Sequence, residues 1–174
     1  VYDIIEDDFG YMWFCTNSGL VRFDGGQFNT YLPPSGAGKA GGGLKKDAKG
    51  NIWYNDFTGQ VISLNDNRTS LSIFKPIQNL KFSNIALFDF DKTSTYLYAR
   101  DDKAGIFKIN INNSTIINKV KTGIYTKYLN VIDEKIITPD MRYNQFTLYD
   151  CEDLKYIDCI AYPDSTYDPK IIFT

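Results

Sequence analysis

Asp7-Asp8-Phe9-Gly10-Tyr11-Met12-Trp13-Phe14 is followed forty residues later by Asp47-Ala48-Lys49-Gly50-Asn51-Ile52-Trp53-Tyr54. The Asp, Gly and Trp keep their spacing, and Gly19 and Val21 recur as Gly59 and Val61. Self-similarity at a fixed period marks a repeat architecture and governs the reading of every element within it. A third, weaker copy runs from Asp91 through Leu97-Tyr98-Ala99 to Gly105-Ile106-Phe107-Lys108-Ile109. A fourth runs from Asp133 through Ile136-Ile137 to Gln145-Phe146-Thr147-Leu148-Tyr149-Asp150. With Trp13 and Ile136 taken as equivalent, the mean period is about 41 residues, inside the range of about 40 to 50 residues of propeller blades.

Each copy consists of short aromatic and β-branched runs separated by Asp, Asn and Gly clusters, the pattern of antiparallel strands joined by tight turns. In the first copy the strands are read as Tyr2 to Glu6, Tyr11 to Thr16, Leu20 to Phe23 and Gln27 to Tyr31. No stretch of ten or more residues holds a helical period. The chain is therefore expected to be all-β: a β-propeller of about four four-stranded antiparallel blades, part of a larger ring. The blades are placed at 1–33, 44–76, 83–120 and 127–162, with 163–174 starting a further strand or blade. A blade cannot bury both faces alone, and the 12 Phe, 13 Tyr and 2 Trp supply the flat side chains that packing between blades uses.

The string from Ile5 to Gly25, with Asp7, Gly10, Trp13, Gly19 and Phe23-Asp24-Gly25 in place, resembles the two-component regulator propeller repeat. That repeat belongs to the sensor half of hybrid histidine kinases in Bacteroidetes. The likeness is strong over about 25 residues, fair from Asp47 to Val61, and architectural beyond. The family has Gly where this chain has Cys15, which puts a larger side chain into the second strand. The resemblance implies a periplasmic sensor of polysaccharide fragments, whose kinase and regulator parts lie elsewhere in a longer polypeptide. Its partners would be an oligosaccharide, the remaining blades and output domains of the parent protein, and a second copy in a homodimer. The Asp-x-x-Gly-x-x-Trp residues are read as shaping the blade: Asp satisfies backbone N–H groups at a turn and Gly accepts positive φ.

Composition narrows the chemistry. There is no histidine among the 174 residues, which removes His-based triads, His metal ligands and the commonest general acid/base. No catalytic residue, metal site or cofactor is expected, and the chain is read as a binding and signalling module. Lys plus Arg is 19 against 21 Asp plus Glu, a balance with no counterion-release drive toward nucleic acid. No apolar run is long enough for a membrane helix, so no direct membrane insertion is expected. Cys15, Cys151 and Cys159 fit no metal spacing. A hairpin turning near Glu152 and Asp153 would set Thr147, not Cys151, opposite Cys159, so free thiols are expected.

Four strings invite other readings. Ile85-Ala86-Leu87-Phe88-Asp89-Phe90-Asp91-Lys92-Thr93 is similar to the first motif of haloacid-dehalogenase-type phosphatases, where the first Asp attacks phosphorus. The residues after Thr93 read as more strands at the blade period, not as the helix that fold needs. Gly36-Ala37-Gly38-Lys39-Ala40-Gly41-Gly42-Gly43 lacks the Ser or Thr and the spacing of a phosphate loop, and reads as a connector. Asn67-Arg68-Thr69 and Asn113-Ser114-Thr115 match a glycosylation pattern too short to carry weight.

Alternating turns of a blade project to opposite faces. The turns between second and third strands, with the connectors between blades, collect Asp56 to Thr58, Arg100 to Lys103, Asp140 to Asn144 and the longer loops. Loops on a rigid scaffold carry function. Sugar recognition needs aromatic faces and planar donors. Phe57, Arg100, Arg142 and Tyr143 are therefore the candidate ligand-binding residues. A protein-interaction or dimerisation platform without a small ligand stands as the rival reading.

Overall fold

At Asp7 the chain turns on its own carboxylate. Oδ1 accepts the N–H groups of Phe9 (2.9 Å) and Tyr11 (3.0 Å), Gly10 takes φ +78°, and the Trp13 indole N–H donates to Oδ2 at 2.8 Å. Asp47 repeats this with Lys49 (2.9 Å), Asn51 (2.8 Å), Gly50 at φ +78° and Trp53 at 3.0 Å. The motif is a turn whose Asp both caps the backbone and anchors a buried indole, so its three residues serve one local structure.

A computed structural model describes residues 1–80, 87–101, 105–122, 128–140 and 143–162. The first sheet comprises β1 (Asp3–Glu6), β2 (Met12–Thr16), β3 (Gly19–Phe23) and β4 (Phe28–Tyr31). The second comprises β5 (Gly41–Lys46), β6 (Ile52–Asp56), β7 (Val61–Leu64) and β8 (Leu71–Ile73). After the short helix α1 (Lys75–Leu80) come β9 (Leu87–Phe90), β10 (Tyr96–Asp101), β11 (Gly105–Asn110) and β12 (Thr115–Val120). The last sheet holds β13 (Asn130–Ile132), β14 (Lys135–Asp140), β15 (Gln145–Asp150) and β16 (Tyr156–Ala161). Every sheet is antiparallel with its strands in chain order, the meander of a propeller blade. Residues 163–174, where the repeat predicts a further strand, lie outside the described residues.

Three apolar clusters fill the three gaps between consecutive blades. Trp13, Cys15 and Leu20 of the first blade meet Leu44, Ile52, Tyr54, Ile62, Leu64 and Leu71 of the second. Trp53 and Val61 meet Phe88, Phe90, Leu97, Ala99, Phe107 and Ile109 of the third, and Phe74 and Ile77 join them. Tyr98 and Ile106 meet Leu129, Ile136, Tyr149, Cys151 and Leu154 of the fourth. Ile77 lies on α1, a helix too short for a period to show in the sequence. It drops a fully buried side chain into the second gap.

The first strands draw together around the axis, with β1 against β5, β5 against β9 and β9 against β13. Asp3 on β1 accepts the Leu44 N–H at 2.7 Å, and Asp89 on β9 accepts the Val131 N–H at 2.9 Å. Asp89 also pairs with Lys45 at 3.2 Å. Asp91 caps the next turn, accepting the Tyr96 N–H at 2.7 Å. Both carboxylates of the phosphatase-like string are thus engaged in holding blades and turns.

Two details of the repeat differ from the sequence alignment. Cys15 pairs with Leu20 as Asn55 pairs with Val61, so Leu20, not Val21, is the counterpart of Val61. The turn after β6 is one residue longer. Trp13 and Trp53 both face the following blade from the second strand, and Tyr98 does the same, whereas Ile136 packs back on the preceding blade. The β13–β14 turn is shortened to Asp133 and Glu134, both at positive φ, and the shorter turn shifts the alignment out of phase. Thr147 does lie opposite Cys159, and all three cysteines are free.

Candidate functional site

Phe57 follows β6 in the turn capped by Asp56, whose Oδ1 accepts the N–H groups of Thr58 (2.9 Å) and Gln60 (2.8 Å). The glycine-rich connector is strapped to this turn: Gly38 N–H donates to Asp56 Oδ2 at 2.6 Å, and Phe57 N–H to Ala40 O at 3.1 Å. Its backbone is committed to Asp56, not arranged as a phosphate cradle. Phe57 remains 41% exposed and meets Tyr2 edge-on at 5.0 Å between ring centres. Tyr2 is half-exposed and precedes β1, so it shares the connector face with Phe57. The sequence reading missed Tyr2, because the contact joins two blades and has no signature in either.

Tyr143 stands 67% exposed in the β14–β15 turn on the same face. Arg142 lies outside the described residues. Arg100 is not on a loop. Its pairing with Leu87 and Ile106 carries β10 on through Asp101, and alternation turns it inward between the third and fourth blades, fully buried. Asp140 on β14 is also buried there. Burial raises the Tyr149 hydroxyl's pKa; Arg100 opposes the rise and Asp140 adds to it. Arg100 is part of the joint between blades, and the expectation that it stands on a loop is corrected by its place in β10 and its burial.

Phe57 and Tyr143 thus share a face but stand on the second and fourth blades. A cavity of about 890 Å³ opens on the opposite face, between the third and fourth blades. Tyr96, Tyr98, Lys108, Asp133, Glu134 and Glu152 help line it. Lys108 Nζ lies 4.3 Å from the Tyr96 ring centre and donates to Glu152 O at 3.1 Å, while the Tyr98 hydroxyl donates to Cys151 O at 2.9 Å. Both groups bond within the joint; beyond them the cavity offers carboxylates, the Lys92 ammonium and one aromatic wall. Among the described residues no group of three or more metal-ligating side chains gathers, and no helix is long and apolar enough to cross a membrane.

Sheets of this order, packed face to face around an axis, define the chain as a β-propeller of about four blades. No family model matches it, and no curated protein does. Solved structures share the fold. The extracellular domain of a putative hybrid two-component system of B. thetaiotaomicron matches over 90% of this chain and 23% of its own, at TM-score 0.72 and 14% identity. A second such domain from that organism matches over 90% and 24%, at TM-score 0.69 and 19% identity. Virginiamycin B lyase from Staphylococcus aureus matches over 93% and 55%, at TM-score 0.71 and 14% identity. The chain spans between about a quarter and somewhat over half the length of these structures.

Proposed function

We propose that this chain is a ligand-sensing segment of a two-component regulatory system, lying in the periplasm. It recognises a polysaccharide-derived ligand and signals to a histidine kinase elsewhere in its parent protein. The observation that carries the reading is a coincidence of two likenesses. The stretch Ile5 to Gly25 resembles the repeat of such sensors, and the whole fold is shared with extracellular domains of putative hybrid two-component systems. Enzymatic activity is the weaker reading. A histidine-to-alanine variant of the lyase with this fold is catalytically inactive, and this chain has no histidine to offer.

The ligand would meet the connector face, where Tyr2, Phe57 and Tyr143 present rings for stacking on sugars, and Arg142, next to Tyr143 in the chain, would supply planar donors. Arg100, buried beneath, holds the third and fourth blades in place. Calorimetric titration of the intact sensor with polysaccharide-derived oligosaccharides tests this. Arg142→Ala should weaken binding by about 1.5 to 3 kcal/mol, the range for hydrogen bonds to a charged group, and Phe57→Ala and Tyr143→Ala each by about 0.5 to 1.5 kcal/mol, the range for an aromatic contact. Asp8→Ala, on the other face, should not. Wild-type affinity in all three, with loss in Lys108→Ala, would move the site to the opposite cavity.

A further inference from the structure

Lys108 breaks the rule that a buried charge is paired. It stands on β11, is 7% exposed, and reaches across the joint to the fourth blade. There its ammonium donates to Glu152 O at 3.1 Å and lies 4.3 Å from the Tyr96 ring centre. Among the described residues no carboxylate pairs with it. An ammonium carries three donors, and the Glu152 carbonyl takes one. The others are left to the cavity between the third and fourth blades, which Lys108 lines.

The carboxylates of the same cavity are of two kinds. Asp91 and Asp150 cap turns: Asp91 Oδ1 accepts the Tyr96 N–H at 2.7 Å, and Asp150 Oδ1 accepts the Glu152 N–H at 2.6 Å. Asp133, Glu134 and Glu152 are exposed, and among the described residues their carboxylates accept no hydrogen bond and pair with no cation. The Cys151 N–H donates to Glu134 O at 3.0 Å, which sets the turns that carry these three side by side. These five carboxylates face two ammonium groups, Lys92 and Lys108, in the lining. A simple anion drawn to Lys108 would be repelled by that excess, and a simple cation held by the open carboxylates would leave Lys108 unpaired. Tyr96, Val131 and Ile132 add an apolar wall, and the volume of about 890 Å³ is that of a small-molecule site.

We infer that this cavity binds a zwitterion with an apolar side chain, an amino acid or a short peptide. Its carboxylate is held by Lys108, and its ammonium by Asp133, Glu134 and Glu152. A ligand of both signs satisfies the buried ammonium and the open carboxylates together, through charge-assisted hydrogen bonds. Its side chain lies against Tyr96 and Ile132. The inference does not depend on the sensor reading, since it concerns the opposite face and another class of ligand.

Calorimetric titration tests it with phenylalanine, alanyl-phenylalanine, phenylpropionate, which lacks the ammonium, and phenylethylamine, which lacks the carboxylate. Phenylalanine or alanyl-phenylalanine should bind at least about tenfold more tightly than either one-charge analogue, because a hydrogen bond between charged groups carries that factor or more. The tighter of the two tells a free amino acid from a peptide. Lys108→Met keeps most of the stem and removes the charge. It should weaken phenylalanine and phenylpropionate by about tenfold and leave phenylethylamine unchanged. The triple change Asp133→Asn, Glu134→Gln and Glu152→Gln should do the reverse, weakening phenylalanine and phenylethylamine and sparing phenylpropionate. All three residues are exposed, so the triple variant decides the matter even where circular dichroism shows that Lys108→Met fails to fold. Three results would each overturn the inference: no binding of any probe, a one-charge analogue that binds as tightly as both zwitterions, or unchanged phenylalanine affinity in a folded variant.

Discussion

Asp7 is buried, yet its carboxyl is held below the usual carboxylate range. Burial by itself would raise it, and the donors from Trp13, Tyr11, Arg68 and Phe9 together outweigh that effect. A carboxyl whose folded pKa is depressed contributes stability above its unfolded pKa, about 3.9, and loses it as pH falls through the folded value. Asp7→Asn should therefore be less stable than wild type at pH 7, and the gap should close as denaturation is repeated below about pH 3.9. A gap of constant size across that range would mean that the charge of Asp7 does not matter. Cys15, the residue that stands where the resembling family has Gly, is 1% exposed, and burial followed by the nearby Asp3 pushes its thiol up to about 12. It behaves as a small apolar side chain in the first gap.

Turns set the length of each repeat, and their glycines are not equivalent. Gly50 sits at φ +78°, and a Cβ there would lie 2.8 Å from Asp8 Oδ2. Gly25 sits at φ +91° with nothing within 4 Å of a Cβ. Left-handed backbone costs an L-residue about 1 to 2 kcal/mol. Gly25→Ala should lower stability by about that amount, and Gly50→Ala by more, because Asp8, which pairs with Lys46, must also shift. Urea titration of both variants measures the difference; equal losses would mean that Asp8 moves at no cost. Arg68 shows how a turn also becomes a latch. Its guanidinium reaches back to Asp7 and to Gly50 O at 3.0 Å and lies over the Phe9 ring at 4.6 Å, joining the second blade to the first.

Stability of the whole arc resides in its joints, since each blade contributes one apolar face to each gap. Arg100→Ala empties a fully buried position in the last joint. It should cost about 2 to 4 kcal/mol, in the range for core truncation and far above that for a surface change. Urea denaturation of Arg100→Ala against wild type reads this, and a change under about 0.5 kcal/mol would return Arg100 to the surface.

The repeat, the four-strand meander and the structural role of Asp-x-x-Gly-x-x-Trp were legible because each is local. The Asp-to-Gly turn and the strand alternation lie within about ten residues, and in the first copy each predicted strand falls within one residue of the observed one. Local patterning sufficed for the class of fold, the free thiols and the Thr147–Cys159 register. Tertiary structure alone decided which face each strand residue takes. Arg100 moved from loop to joint because β10 runs on through Asp101, further than its composition suggests. Arg68 and Tyr2 acquired partners in Asp7 and Phe57, each in another blade and far away along the chain. Packing between blades sets such contacts, and no pattern within one repeat encodes its neighbour's geometry.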